Sequence, residues 1–217
     1  MKAMILAAGL GLRMRPLTLT TPKPLVKVHG QALIDYHLDA LKKAGVSDIV
    51  INVHHLASQI IDHVEQHWGY DFNLHFFFEP EILGTGGGIY QALSVFDNEP
   101  FIVVSADIFT DYTYEKLPQK LNGLAHLVMI DNPSFHPNGD FCLNAQGLLS
   151  LETGKPLTYA NIGVFHPDLF KSVVTPKFEM RDVLIPAIRD GKISAEYYQG
   201  LWENIGTIAQ LEIINSI

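Results

Sequence analysis

The chain has 217 residues, 47% of them hydrophobic and 18% charged, enough for one substantial core and short for two large domains. A formal charge of −8 and a pI near 5.6 give no general attraction to nucleic acids or acidic membranes, so any phosphate site must be a local basic cluster. The single cysteine, Cys142, excludes an internal disulfide and a cysteine-built metal site, and it fits a reducing compartment.

The opening MKAMILAAG resembles the start of an export signal, but its apolar run ends at Gly9. Arg13, Arg15, Lys23 and Lys27 follow where such a signal would stay apolar. No window reaches the roughly 20 apolar residues of a membrane span, so a soluble protein is expected, and the lone cysteine makes a cytoplasmic one the simplest reading. Residues 3–8 predict a strand buried on both faces, with a glycine-rich loop behind it. Leu33, Ile34, His37, Leu38 and Leu41 share one face of a helix predicted over 31–44, which Gly45 closes. A strand over 48–53, a helix over 57–68, a strand over 74–78, a helix over 87–95 and a buried strand over 100–105 complete a βαβαβαβ series. That order predicts right-handed crossovers and a Rossmann-like, doubly wound α/β fold with a mixed, mostly parallel sheet. Beyond Asp111 come strands at 125–131, 140–144, 148–151 and 162–166, with few helices between them. Residues 132–139 (NPSFHPNG) read as a mobile loop, and 208–217 as a closing helix. No repeat, low-complexity tract or linker divides the chain. One domain is expected, with halves 1–112 and 113–217.

The loop after the first strand carries Ala7, Ala8, Gly9 and Gly11, then Arg13 and Arg15. Two glycines let the backbone approach an anion and turn successive N–H groups toward it. The spacing is not the dinucleotide fingerprint, which needs a glycine at Met14, nor a P-loop, which needs Gly-Lys-Ser/Thr. Arg13 offers a planar fork that grips phosphate oxygens in pairs, and no acidic residue between 13 and 27 neutralises it. The competing reading is a tight turn with two surface arginines. Lys23 follows between Pro22 and Pro24, which predicts an extended segment that fixes where its ammonium points.

GLGLRMRPLT at 9–18, followed by TPKPL at 21–25, resembles the N-terminal signature of the sugar-1-phosphate nucleotidyltransferases. The resemblance runs over nearly the whole chain. It is nearest to the short N-acetylmuramate 1-phosphate uridylyltransferases, with mannose-1-phosphate guanylyltransferase-like proteins next. It implies the nucleotide-diphospho-sugar transferase type of fold and condensation of an NTP, UTP favoured, with a sugar 1-phosphate, N-acetylmuramate 1-phosphate favoured. The products are an NDP-sugar and pyrophosphate, in a setting of cell-wall sugar recycling. It assigns residues 1–112 to the nucleotide and 113–217 to the sugar phosphate. Arg13 and Lys23 take catalytic roles on the reacting phosphates, and Ala7, Ala8, Gly9 and Gly11 take the nucleotide.

EPEILGTGGG at 79–88 resembles the family's base-reading block: Glu79 or Glu81 faces the base, the spacing not saying which. Gly84 and Thr85 fall to the nucleotide, and Gly86 and Gly87 to the sugar phosphate. A flexible turn with a helix cap is the alternative. In the second half, Asn138 and Asp140 resemble a stretch of the muramate enzymes. Glu152 and Lys155 lie where longer relatives place a sugar hydroxyl acceptor and a phosphate-binding lysine. Asn161 could reach the sugar from a strand edge or serve as a turn residue. Asp107 ends a buried strand, where open α/β sheets place ligands, and the family's Asp here binds Mg²⁺, with Mn²⁺ as a substitute. WENIGT at 202–207 resembles the block that supplies the second metal ligand, but with Asn204 in place of Asp. An amide oxygen still coordinates a hard cation.

The substrates are thus small molecules, with no nucleic acid or membrane partner, in a monomer or small homo-oligomer. His63 and His67, one helical turn apart, read as a solvated face rather than a metal pair, as do His54 and His55, although His55 could line the substrate cleft. Because of Asn204, a nucleotide-binding regulatory homologue with weak or no catalysis is the rival reading. Phosphocholine cytidylyl transfer would need clustered aromatics, and a nicotinamide-dependent oxidoreductase is disfavoured by Met14.

Overall fold

The apolar run KAMIL forms the first strand, β1 (Lys2–Leu6), in the computed structural model, which describes residues Met1–Ile217. In chain order there follow β2 (Lys27–Val28), β3 (Gln31–Ala32), α1 (Leu33–Lys43), β4 (Asp48–Val53), α2 (Ala57–Trp68), β5 (Asn73–Phe78) and α3 (Gly84–Ala92). Then come β6 (Phe101–Ser105), β7 (Ile108–Thr110), β8 (Ala125–Ile130), β9 (Phe141–Leu143), β10 (Leu149–Ser150) and β11 (Lys155–Phe165). The chain closes with α4 (Met180–Arg189), β12 (Ile193–Tyr197), β13 (Trp202–Asn204) and α5 (Ile208–Asn215). Strands that pair both parallel and antiparallel, interleaved with helices, make this an α/β fold with a mixed sheet.

The chain gathers into two compact units. One joins Met1–Ile82, Val104–Glu115 and Leu201–Ile217; the other joins Leu83–Val103 and Lys116–Gly200. In the first, β4 lies between β1 and β5, parallel to both, with Leu6 opposite Asn52 and Asn52 opposite Phe77. α1 buries Leu33, Ile34, His37, Leu38 and Leu41, the face expected from its spacing. It ends where Gly45 turns left-handed at φ 73°, its N–H donating to the Lys42 carbonyl and that of Val46 to the Leu41 carbonyl. Met14, Val26, Val28, Leu33, Phe109, Ile205 and Ile214 form one apolar cluster. Segments distant in sequence are thereby fastened together by burial, at about 25 cal/mol per Å² of apolar surface.

In the second unit β8 pairs antiparallel with β11 and parallel with β12, while β9 joins β11 and β10. The β8–β11 register shifts between Tyr159 and Gly163, and Asn161 inside that shift is left-handed, φ 56°. Asn is one of the few side chains that tolerates this conformation. β11 is longer than the strand expected at 162–166. Helix α4 and strand β12 lie outside the elements that the sequence predicts. The helix buries Met180, Val183, Leu184, Ala187 and Ile188 at regular helical spacing and starts with a reciprocal Glu179–Asp182 capping box, but Pro186 lies inside it, and a proline in that position argues against a helix in the sequence alone. α3 starts at Gly84 rather than Gly87 because the glycines pack against a neighbouring segment, as described below.

Candidate active site

The loop after β1 closes on itself. Gly11 is left-handed, φ 60°, and a Cβ there would lie 2.8 Å from Thr18 Cγ2. The Gly11 carbonyl accepts from Thr18 Oγ1 at 2.7 Å and from the Met14 N–H at 2.9 Å. Glycine is therefore required at 11 by both backbone sign and space. Ala7 and Ala8 are buried, while Gly9 is exposed with open space where its Cβ would be. His55 Nε2 lies 2.7 Å from the Thr18 carbonyl and so braces the same loop.

Four of the predicted polar residues converge in this unit. Lys23 Nζ donates to Asp107 Oδ2 at 2.6 Å. The Asp107 carbonyl accepts from the Ile205 N–H at 2.9 Å, and the β7–β13 ladder sets Asn204 opposite Ile108. This pairing carries Asn204, distant in sequence, to the strand beside Asp107. Arg13 Nη2 and Asn204 Oδ1 lie 3.0 Å and 3.3 Å from the point that a Cβ on Gly206 would occupy. Gly206 therefore leaves room for both. Pro22 is extended, as expected, but Lys23–Leu25 forms a short 3-10 turn rather than an extended segment. Asp111 is a loop residue whose Oδ1 accepts from the Leu201 N–H at 2.8 Å.

Glu79 and Glu81 differ in setting. Glu79 is buried and its Oε1 accepts from Asn52 Nδ2 at 2.6 Å, whereas Glu81 is exposed. Asn52 also accepts from the Ala7 N–H at 2.9 Å. Asn52 is absent from the residues that the motifs single out, though a polar residue near the carboxyl end of the apolar strand DIVINV is a legible signal.

In the second unit, the 84–88 glycines meet the segment before α4. A Cβ on Gly84 would lie 2.5 Å from the Phe178 carbonyl oxygen, one on Gly86 2.4 Å from the Phe178 ring, and one on Gly87 2.4 Å from the Pro176 carbonyl oxygen. The Gly87 N–H donates to the Phe178 carbonyl at 3.1 Å, and the Thr85 N–H and hydroxyl donate to Glu179 Oε2 at 3.3 Å and 3.0 Å. These glycines thus serve close packing, and Glu179, unforeseen from sequence, joins two helix starts.

Asp140 Oδ2 accepts from the Tyr159 N–H at 2.9 Å, and its Oδ1 lies 3.2 Å from His136 Nε2 and 3.5 Å from Arg181 Nη1. Asn138 and Glu152 are exposed, and Asn161 marks the β11 irregularity. Lys155 donates to Asp131 at 2.9 Å and lies 3.7 Å over the Tyr197 ring; the Tyr197 hydroxyl donates to the same Asp131. These hydrogen bonds hold the Asp131 carboxyl below the usual carboxylate range, and those to Tyr197 and Asp131 hold the Lys155 ammonium above its ordinary value.

The histidines are absorbed by structure. His63 Nε2 and Trp68 Nε1 both meet Asp35 Oδ1 at 2.9 Å, His67 Nδ1 lies 2.7 Å from the His63 carbonyl, and His54 Nδ1 lies 2.7 Å from the Glu79 carbonyl. No three His, Cys, Asp or Glu side chains gather as a metal cluster. Asp107 and Asn204 are both hard oxygen donors. A set of one carboxylate and one amide suits Mg²⁺, which keeps several waters and takes few protein ligands together with substrate phosphates.

With that geometry in place, the chain belongs to the nucleotidyl transferase family, whose model matches residues 2–141. It is a nucleotidyltransferase of nucleotide-sugar biosynthesis. It is 40% identical to the N-acetylmuramate alpha-1-phosphate uridylyltransferase of Neisseria meningitidis, over 98% of this chain and 96% of that one. It is 31% identical to the mannose-1-phosphate guanyltransferase of Emericella nidulans over 95% of its own length, but spans 61% of that relative. A Bacillus anthracis crystal structure, provisionally described as a glucose-1-phosphate thymidylyltransferase in complex with sucrose, superposes with a TM-score of 0.85 at 18% identity. The match covers 99% of this chain and 94% of that one, and it shows the shared fold.

Proposed function

We propose that the chain condenses UTP with N-acetylmuramate 1-phosphate, giving the UDP-sugar and pyrophosphate, as a step in cell-wall sugar recycling in the cytoplasm. The observation that carries this reading is the gathering of Lys23, Asp107, Asn204 and Arg13 at the edge of the glycine loop. The name of the Neisseria relative, aligned over almost the whole of both chains, favours this substrate pair. No helix is long and apolar enough to cross a membrane.

A phosphate monoester is already anionic near neutral pH, so its oxygen needs no general base. It attacks the α-phosphorus in line; the new P–O bond forms as the bond to the bridging oxygen breaks, and pyrophosphate leaves with that electron pair. Arg13 and Lys23 stabilise the negative charge that grows on the departing oxygens, and the Ala7–Gly11 backbone holds the triphosphate. Asp107 and Asn204 are the residues that would hold Mg²⁺, or Mn²⁺ in its place, which when bound supplies charge neutralisation and alignment of the phosphate oxygens. Asn138, Asp140, Glu152 and Asn161 are assigned to the sugar phosphate, while Gly86 and Gly87 pack against Phe178 and Pro176.

The test is a matrix of four NTPs against N-acetylmuramate, N-acetylglucosamine, glucose and mannose 1-phosphates, scored by pyrophosphate release. The greatest kcat/KM is expected for UTP with N-acetylmuramate 1-phosphate. A higher value for GTP with mannose 1-phosphate would overturn the substrate pair.

A further inference from the structure

Asn52 stands near the carboxyl end of β4, the middle of three parallel strands, where it reaches toward both neighbours. Its carboxamide is committed at both ends: Oδ1 accepts from the Ala7 N–H at 2.9 Å, and Nδ2 donates to Glu79 Oε1 at 2.6 Å. Ala7 is the first residue after β1 and leads into the glycine loop; Glu79 is the first after β5. Glu79 is only 1% exposed and Asn52 4%. The backbone of Glu79 is pinned as well, its N–H donating to the Val53 carbonyl at 2.9 Å and its carbonyl lying 2.7 Å from His54 Nδ1.

A carboxylate enclosed in this way is spoken for by protein. We infer that Glu79 is a positioning residue that acts on the nucleotide only through Asn52 and Ala7. The carboxylate orients the carboxamide, and the carboxamide fixes the N–H at which the glycine loop begins. This rests on the reading that the Ala7–Gly11 loop holds the NTP. The requirement on position 52 is chemical: one acceptor toward Ala7 and one donor toward Glu79 on a short side chain. Aspartate would supply two acceptors and set one carboxylate against another, and alanine would supply neither.

Polarity can be reversed without losing the bond. When Asn52→Asp and Glu79→Gln are combined, the carboxylate introduced on β4 accepts both from the Ala7 N–H and from the amide introduced after β5. The experiment therefore compares Asn52→Asp, Glu79→Gln, the double variant and Asn52→Ala. It reads kcat, KM for each NTP, KM for the sugar phosphate, UTP affinity by calorimetry, and melting temperature. Glu79→Gln, which keeps an acceptor for Asn52, should weaken all NTPs alike by a few-fold and leave their ranking intact. Asn52→Asp should raise NTP KM about tenfold or more, through loss of the hydrogen bond to Glu79 and the apposition of two acidic groups. The double variant should recover most of the loss, and KM for the sugar phosphate should move little in any variant.

A change in which NTP is preferred by Glu79→Gln would overturn the inference, since it would mean direct contact with the base. Equal impairment of Asn52→Asp and the double variant would also overturn it. Where Asn52→Asp does not fold, the double variant decides: UTP affinity near that of the wild type supports the positioning role, and a loss equal to that of Asn52→Ala ends it. Calorimetry keeps the two failures apart. Wild-type protein that binds UTP but turns over no sugar phosphate would count against the proposed reaction, while unchanged affinity in Asn52→Asp would count against this inference.

Discussion

Replacing Lys23 by Met keeps the length of the stem and removes its charge, which isolates the pair with Asp107. The ammonium donates at 2.6 Å, with the two side chains 12% and 27% exposed. That places the pair between exposed ion pairs, worth about 0–1 kcal/mol, and buried ones, whose disruption costs about 3–5 kcal/mol. A loss of about 1–2 kcal/mol is expected. For a chain of this size each kcal/mol moves the melting temperature by about 2–4 °C, so the fall should be roughly 2–8 °C. The same change leaves the Asp107 carboxylate uncompensated. Magnesium added without nucleotide should then restore more melting temperature to the variant than it adds to the wild type, where the ammonium competes. Turnover should fall by about 10²–10³, the usual effect of removing one group that stabilises transition-state charge. Thermal melts across a magnesium titration, with pyrophosphate release alongside, measure all three. A variant that melts with the wild type and responds identically to magnesium would refute the claim that Lys23 holds Asp107.

Asp107→Ala should abolish pyrophosphate release while the protein keeps its circular dichroism spectrum; retained activity would mean that Asp107 is not a metal ligand. Asn204→Asp adds one negative charge beside Asp107 and should tighten Mn²⁺ by about tenfold in paramagnetic titrations with nucleotide present, preserving or raising turnover. Gly86→Ala puts a methyl against the Phe178 ring, 2.4 Å from the nearest ring atom, and should destabilise by about 1–3 kcal/mol in urea melts. Burial pushes the His37 imidazole down to about 4 from its ordinary 6.5, so the unfolded chain binds the extra proton and folding stability rises with pH across that interval. Stability should be full above about 6.5 and fall by about 3 kcal/mol by pH 4, and His37→Leu should flatten this part of the profile.

Much of the fold was legible because its first half obeys simple periodicities. The strand over 48–53 and the helix over 57–68 match β4 and α2 to the residue, since one is an unbroken apolar run and the other an amphipathic pattern with clear ends. α4 escaped because Pro186 argues locally against a helix that its tertiary packing and capping box stabilise. The start of α3 was misplaced for a related reason. Glycines at 84, 86 and 87 look like chain punctuation in a one-dimensional reading, yet in space they are the only residues small enough to pass Phe178 and Pro176.

Sequence motifs named Arg13, Lys23, Asp107 and Asn204, and the structure brings them together. Motifs alone could not name Asn52 or Glu179, because each bonds partners distant in sequence. Asn52 reaches 45 positions back to Ala7 and 27 forward to Glu79, and such a link has no local signature beyond a polar residue in an apolar strand. The same logic bears on Asn204. The motif showed a missing charge, but the structure shows the amide oxygen and the Arg13 guanidinium both against Gly206. An aspartate there would gain Arg13 as a counter-ion and repel Asp107, two opposed effects within one small site. Asparagine avoids both, and a metal ion arriving with an anionic nucleotide has less need of a second carboxylate. A larger gain in metal affinity from Asn204→Asp without nucleotide than with it would follow from this balance, and equal gains would contradict it.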